Sequence, residues 1–194
     1  MLPTVPQIWA KQIPLISTEN FTIKVVQSKF VSKTLRRAIV ELCNRAYEED
    51  MGTILDTFAD ATHLVGYHGN SFVSHALWVT RHLQAGTDPI MRTAYVEAVA
   101  TDAEYRSRGF ASAIMKHLIG EIQHYDMAAL SPSSVAFYER LGWELWRGPL
   151  FIRKNDNLIP SLDDEEVMIF RLPKTPVLDI HASLSAEWRE GELW

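Results

Sequence analysis

The chain is 194 residues long, with 47% hydrophobic residues, 22% charged residues and a formal net charge of −5. That length supports one domain with a substantial core and is short for two, and the composition is neither disordered nor collagenous. The acidic balance argues against nucleic acid as partner, and the longest apolar stretches, broken by His75, Arg81 or Glu97, fall far short of the roughly 20 residues of a membrane-spanning helix.

Residues 1–17 scatter Pro3, Pro6, Lys11 and Pro14 among apolar residues without the basic start and apolar core of a signal peptide, so 1–20 reads as a variable N-terminal segment. Residues 21–27 read as a strand. Leu35, Ile39, Leu42 and Ala46 recur at helical spacing and predict a helix over about 32–49. Cys43, the single cysteine, lies on its apolar side as a core residue; without an internal disulfide partner it is compatible with a reducing cytoplasm. Residues 63–68 and 71–82 form two strands around Gly69-Asn70, a good hairpin turn. A strongly apolar strand follows over 91–100, then a helix whose face carries Phe110, Ile114, Leu118 and Ile122, then a short buried strand over 127–130. Residues 133–141 predict a short helix ended by Gly142, and 143–153 and 167–172 predict the last strands. The tail over 173–194 shows no periodicity. Alternation of strand and helix makes this one α/β domain.

The informative stretch is 95–112, Tyr-Val-Glu-Ala-Val-Ala-Thr-Asp-Ala-Glu-Tyr-Arg-Ser-Arg-Gly-Phe-Ala-Ser. A buried strand runs through a polar loop into a helix start. The first amides of a helix have no internal partner and carry partial positive charge, which suits an anion. Gly109 and Ala111 let a ligand approach the backbone, and Arg106 and Arg108 add charge suited to a pyrophosphate. Taken alone, such an element could bind several kinds of phosphorylated ligand. The histidines form no metal site: His75 and His82, like His117 and His124, lack an acid or cysteine to complete a ligand set. No Gly-x-Ser-x-Gly or phosphate-loop Gly-Lys-Ser/Thr motif is present, which sets aside hydrolase and kinase chemistry.

Arg106-x-x-Gly109-x-Ala111, followed by Ala-Phe-Tyr-Glu-Arg-Leu-Gly-Trp over 136–143, resembles the paired motifs of GNAT acetyltransferases across about 21–172 of the chain. The resemblance implies the GNAT fold, an α/β (α+β) domain with a splayed mixed β-sheet flanked by helices, and acetyl-CoA as co-substrate with no metal. By the same resemblance the backbone of Val99 and Thr101 meets the pantetheine arm, and the loop from Arg108 through Gly109, Phe110 and Ala111 to Ser112 holds the pyrophosphate. Tyr138 then protonates the leaving thiolate, although the spacing by itself also suits a core aromatic.

Residues 95–99, 129–131, the acidic run 163–166 before Val-Met-Ile-Phe-Arg-Leu-Pro, and the ending Glu-Trp-Arg-Glu-Gly-Glu-Leu-Trp are similar to aminoglycoside 2′-N-acetyltransferases. That likeness implies a cationic amino-sugar substrate, kasugamycin among the candidates, antibiotic resistance as outcome, and a homodimer by analogy. It places Asp50, Glu97, Ser131, Glu165, Glu192 and the Trp194 carboxylate against the drug, with the 173–194 tail contributing to the acceptor site. Glu97 also stands out on its own, since an acid in an apolar strand is costly without a partner or a task; it reads as a substrate-facing base acting through water, or as a structural hydrogen-bond partner. The alternatives are a GNAT enzyme for another amine, a polyamine or protein N-terminus, and a non-catalytic acetyl-CoA-binding module.

Overall fold

In the computed structural model, which describes residues 20–58, 60–155, 157–162, 164–190 and 194, the chain enters through β1 (Phe21–Gln27), antiparallel to β2 (Thr62–His68). β2 turns into β3 (Ser71–Ala85) at Gly69, whose φ of +59° is the left-handed conformation such a tight turn requires. Between β1 and β2 lie α1 (Lys33–Tyr47) and the short α2 (Gly52–Asp56). The Ser32 hydroxyl accepts from the Leu35 amide and caps α1, and Glu48 closes it in the left-handed region. β4 (Met91–Thr101) returns antiparallel along β3; α3 (Phe110–Glu121) then leads to β5 (Met127–Leu130), parallel to β4. After α4 (Val135–Glu139) come β6 (Glu144–Leu145), β7 (Leu150–Lys154), β8 (Asn157–Pro160), β9 (Met168–Arg171) and β10 (Leu184–Glu187). Among the described residues no helix is long and apolar enough to cross a membrane.

Among the described residues all ten strands join one mixed sheet, β6-β9-β5-β4-β3-β10-β7-β8, with β2 and β1 branching from β3. The fifteen-residue β3 is long enough to take two partners on one side, β2 against its first half and β10 against its second. Two sequence expectations change here. The strand predicted over 143–153 breaks into β6 and β7, because Gly148 passes against the tail so closely that a Cβ would lie 1.8 Å from the Ala182 carbonyl oxygen. The tail, which shows no periodicity, contributes β10, too short at four residues for a pattern to declare itself.

Three apolar clusters fill the two faces. Ile114, Met115 and Leu118 of α3 pack on Leu64, Ala76, Ala94 and Val96. Ile39, Leu42 and Cys43 of α1 pack on Val65, Leu77, Ala98 and Ala100 across the sheet. Tyr95, Met127, Trp146, Leu184 and Trp194 form the third, where the tail closes over the sheet.

The memberships expose a defect in β4. Ala94 and Val96 face α3, yet Ala98 and Ala100 face α1, so the alternation slips by one residue between them. The slip is a β-bulge: His75 pairs with Ala100 but Leu77 with Glu97, and Ala98 has φ +51°. β4 and β5 pair only from Thr93–Met127 to Tyr95–Ala129, then diverge, leaving the edge of β4 beyond Tyr95 without a strand partner on that side.

Candidate functional site

The divergence opens a cleft of about 120 Å³ lined by Tyr47, Phe58, Glu97, Val99, Ser131 and Tyr138, among others. Three residues that the sequence singles out, Glu97, Ser131 and Tyr138, are therefore brought together with the Val99 backbone. A larger groove of about 690 Å³ lies on Arg92, Glu121, His124 and Tyr125, at the far end of α3 from Gly109. None of the predicted site residues lines it, so volume alone does not mark the place of the chemistry.

Tyr138 is buried, its ring edge-on to Phe137 and Trp143. Burial pushes its phenol up to about 12, opposed by a hydrogen bond with the Ser133 side chain. The hydroxyl therefore keeps its proton through the neutral range and is placed as a donor. Tyr47, from the last turn of α1, donates its hydroxyl to the Val99 carbonyl at 3.2 Å. Its phenol is pushed upward by burial and then by nearby Tyr138, Cys43 and Glu97.

Glu97 does not stand alone in its strand. Its carboxylate accepts from the Arg189 guanidinium at 2.5 Å, and both side chains are mostly buried. Arg189 lies over Phe58 and Tyr95, while the fully buried Arg81 also lies over the Tyr95 ring and donates to the Glu187 carbonyl. A second basin of about 400 Å³, lined by Thr57, Phe58, Asp60, Arg81, Glu187 and Arg189, shares Phe58 with the cleft. Glu165 is half-buried, its carboxylate near enough to Tyr95 to help raise that phenol after burial and Glu97. Asp50 is exposed; its Oδ1 accepts from the Gly52 amide, next in the chain to the cleft residue Met51. The Trp194 ring is buried in the tail cluster and its Nε1–H donates to the Ser161 hydroxyl at 2.6 Å. Glu192 lies outside the described residues. Arg189, Arg81 and Tyr47 went unnoticed in the sequence, although a lone arginine within an acidic tail was a usable signal for a strand carboxylate in need of a partner.

Downstream of β4, a 3-10 turn over Ala103–Tyr105 leads through Ser107 at φ +61° to Gly109 at φ +81°, the N-cap of α3. No side chain caps α3, so the amides of Phe110, Ala111 and Ser112 start the helix open to an anion. Arg108 stacks on Tyr105 at 5.1 Å and Arg106 donates to the Thr101 carbonyl at 3.4 Å, which sets both cations beside the loop. The Thr101 hydroxyl is engaged with Ser74 at 2.9 Å. An open strand edge running into an uncapped helix start fits an extended arm that ends in a pyrophosphate. Among the described residues no group of three or more His, Cys, Asp or Glu side chains is placed to hold a metal ion.

A mixed sheet that splays beside a bulged strand, with an uncapped helix following, defines an acyl-transfer fold. The chain belongs to the GNAT acetyltransferases: the family model described as acetyltransferase (GNAT) domain matches residues 28–146. It is similar to an aminoglycoside 2′-N-acetyltransferase of Mycolicibacterium fortuitum, 29% identical over 185 residues that cover 89% of this chain and 92% of the relative. The GNAT family N-acetyltransferase YhbS of Escherichia coli, in complex with CoA, superposes with a TM-score of 0.62 at 17% identity over 88% of this chain and 91% of that one. A GCN5-related N-acetyltransferase from Kribbella flavida superposes at 0.54 and 20% identity over 68% of this chain but only 35% of its own length, so this chain spans about a third of that neighbour. The structural likenesses carry the fold, and the family makes the chain an acyltransferase.

Proposed function

We propose that this acetyltransferase moves the acetyl group of acetyl-CoA to an amino group of an aminoglycoside, the 2′-amino group first among candidates, so that the drug loses a cation and its action. The observation that carries the reading is the likeness, along nearly the whole of both chains, to the Mycolicibacterium fortuitum aminoglycoside 2′-N-acetyltransferase. The site's electrostatics support it. Glu97 already holds a guanidinium at the floor of the cleft, and a protonated amine arriving there meets the same carboxylate. The 120 Å³ cleft suits the reacting amine, while the adjoining basin with Asp60 and Glu187 has room for further rings. Asp50, Ser131, Glu165, Glu192 and the Trp194 carboxylate remain the proposed outer contacts.

In this reading the Val99 and Thr101 backbone aligns the pantetheine arm along β4, and Arg106, Arg108 and the amides of residues 109–112 hold the pyrophosphate. Glu97 draws the ammonium in and takes its proton through water. The freed amine bonds to the acetyl carbon as the carbon–sulfur bond breaks and the Tyr138 hydroxyl gives the departing sulfur a proton; the proton the nitrogen sheds on becoming an amide passes through water to restore the Tyr138 phenol. The protein works in a cytoplasmic setting, and a homodimer is part of the proposal.

The test is CoA thiol release over gentamicin, tobramycin, kasugamycin, amikacin, spermidine and a generic peptide. Turnover on at least one aminoglycoside is expected, falling by roughly 100-fold or more in Glu97→Ala. Turnover confined to spermidine or the peptide would move the acceptor to another amine. CoA binding without turnover on any of them would make the chain a binding module.

A further inference from the structure

The bulge at Ala98 sits on a buried hydrogen-bonded chain that the transfer chemistry does not use. His63 and His75 lie on the α1 face of β2 and β3, diagonal to each other because Val65 pairs with His75 and His63 with Leu77. His63 Nδ1 and His75 Nε2 are 3.0 Å apart. His75 Nδ1 is 2.9 Å from the Ala98 carbonyl oxygen, and His63 Nε2 is 3.0 Å from the Ser28 hydroxyl. His75 has no exposed surface and His63 is buried.

The end group fixes every proton in the chain. A carbonyl only accepts, so His75 Nδ1 carries the hydrogen and its Nε2 is the acceptor. His63 must then donate through Nδ1, and its Nε2 accepts from the Ser28 hydroxyl, whose single hydrogen has this partner at 3.0 Å and the more distant Phe58 carbonyl at 3.4 Å. The chain has one direction, from Ser28 through two neutral imidazoles to the carbonyl of the residue with φ +51°. Burial, with the Arg36 cation adding to it, holds His63 down at about 4. Burial and then His63 hold His75 down at about 3. The Cys43 thiol, 3.9 Å from His75 Nδ1, is pushed up to about 12 by burial and stays protonated, so no anion disturbs the chain.

Ala98 is where this bond matters. A non-glycine residue in the left-handed region is strained, and a strained backbone persists only where its surroundings hold it. The phase slip it causes turns Val99 toward the α3 face and leaves the edge of β4 open beside the cleft. We propose that His75, oriented by His63 and Ser28, is a positioning residue that holds the Ala98 bulge and so aims the backbone of residues 97–99 into the transfer cleft. The inference rests on the reading of that cleft as the place where the pantetheine arm lies, and it is independent of which amine is acetylated.

The test reads CoA affinity by titration calorimetry and backbone order by amide exchange. His75→Phe fills the space without a donor and is expected to weaken CoA about tenfold, on the order of one hydrogen bond to the arm, with faster exchange at Val99. His75→Gln, which can donate to the carbonyl while accepting from His63, is expected to recover most of that loss. In an Ala98→Gly background, where the left-handed conformation needs no support, the His75→Phe penalty is expected to shrink by several-fold. A penalty of the same size in both backgrounds, or none in either, overturns the proposal. Wild type that fails to bind CoA overturns the cleft reading itself. Where His75→Phe does not fold, imidazole nitrogen spectra of the wild type decide: His75 carrying its proton on Nδ1 is expected, and an Nε2–H form overturns the chain.

Discussion

The Glu97 carboxylate and the Tyr138 phenol face one cleft under different constraints. The Arg189 guanidinium stabilises the charged form of Glu97, whereas burial stabilises the neutral form of Tyr138. Tyr138→Phe keeps the ring contacts with Phe137 and Trp143, so folding and CoA affinity should stay close to wild type while kcat falls by about 100-fold. Steady-state kinetics with a fixed acceptor measure the split; an unchanged kcat would remove Tyr138 from the proton path. At this scale the sequence was informative about identity and poor about partners. Glu97 was conspicuous because an acid is rare in a strand of Val, Ala and Tyr, but Arg189 meets it across 92 residues, a distance over which no local pattern operates. His75 shows the same limit. Paired by spacing with His82, it is in fact joined to His63 through strand register.

Among elements, those with a full period or an unbroken apolar run were legible. The helix predicted over 32–49 is α1, and the strands over 21–27 and 127–130 match β1 and β5. The five-residue α2 and four-residue β8 and β10 are shorter than the window in which periodicity can be read, and they lack the unbroken apolar run, Met-Ala-Ala-Leu, that made the equally short β5 legible. The break between β6 and β7 was missed for a different reason: the residue that forces it, Gly148, answers to the Ala182 carbonyl and not to its neighbours in sequence. Gly148→Ala should therefore destabilise by about 3 kcal/mol or more, since the Cβ meets backbone that cannot move without lifting the tail from Trp146. Chemical denaturation would show it; a loss below about 1 kcal/mol would mean that the tail gives way easily there.

For the whole molecule, the two neutral histidines make stability depend on pH in one direction. Their folded pKa values, about 4 for His63 and about 3 for His75, lie below the ordinary 6.5 that the unfolded chain regains. As pH falls through 6.5 the unfolded state takes up protons that the folded state refuses, so stability is flat above about 6.5 and is lost progressively from there down to the folded values. Each histidine contributes up to about 1.4 kcal/mol per pH unit within that window. Urea titrations at pH 7 and 5 should show wild type losing more stability than His63→Gln/His75→Gln, and parallel losses would refute the assignment.

The branching of β3 also bears on how the protein comes to be made. β10 enters the sheet between two strands synthesised earlier, β3 and β7, and the Arg81–Glu187 contact joins residues 106 apart. Until that last strand emerges, β3 and β7 present open backbone edges, the condition under which nascent chains stick to one another. Long-range closure of this kind is slow. Yield from cells should accordingly be governed by growth temperature and chaperone supply during translation, even where the finished enzyme is stable.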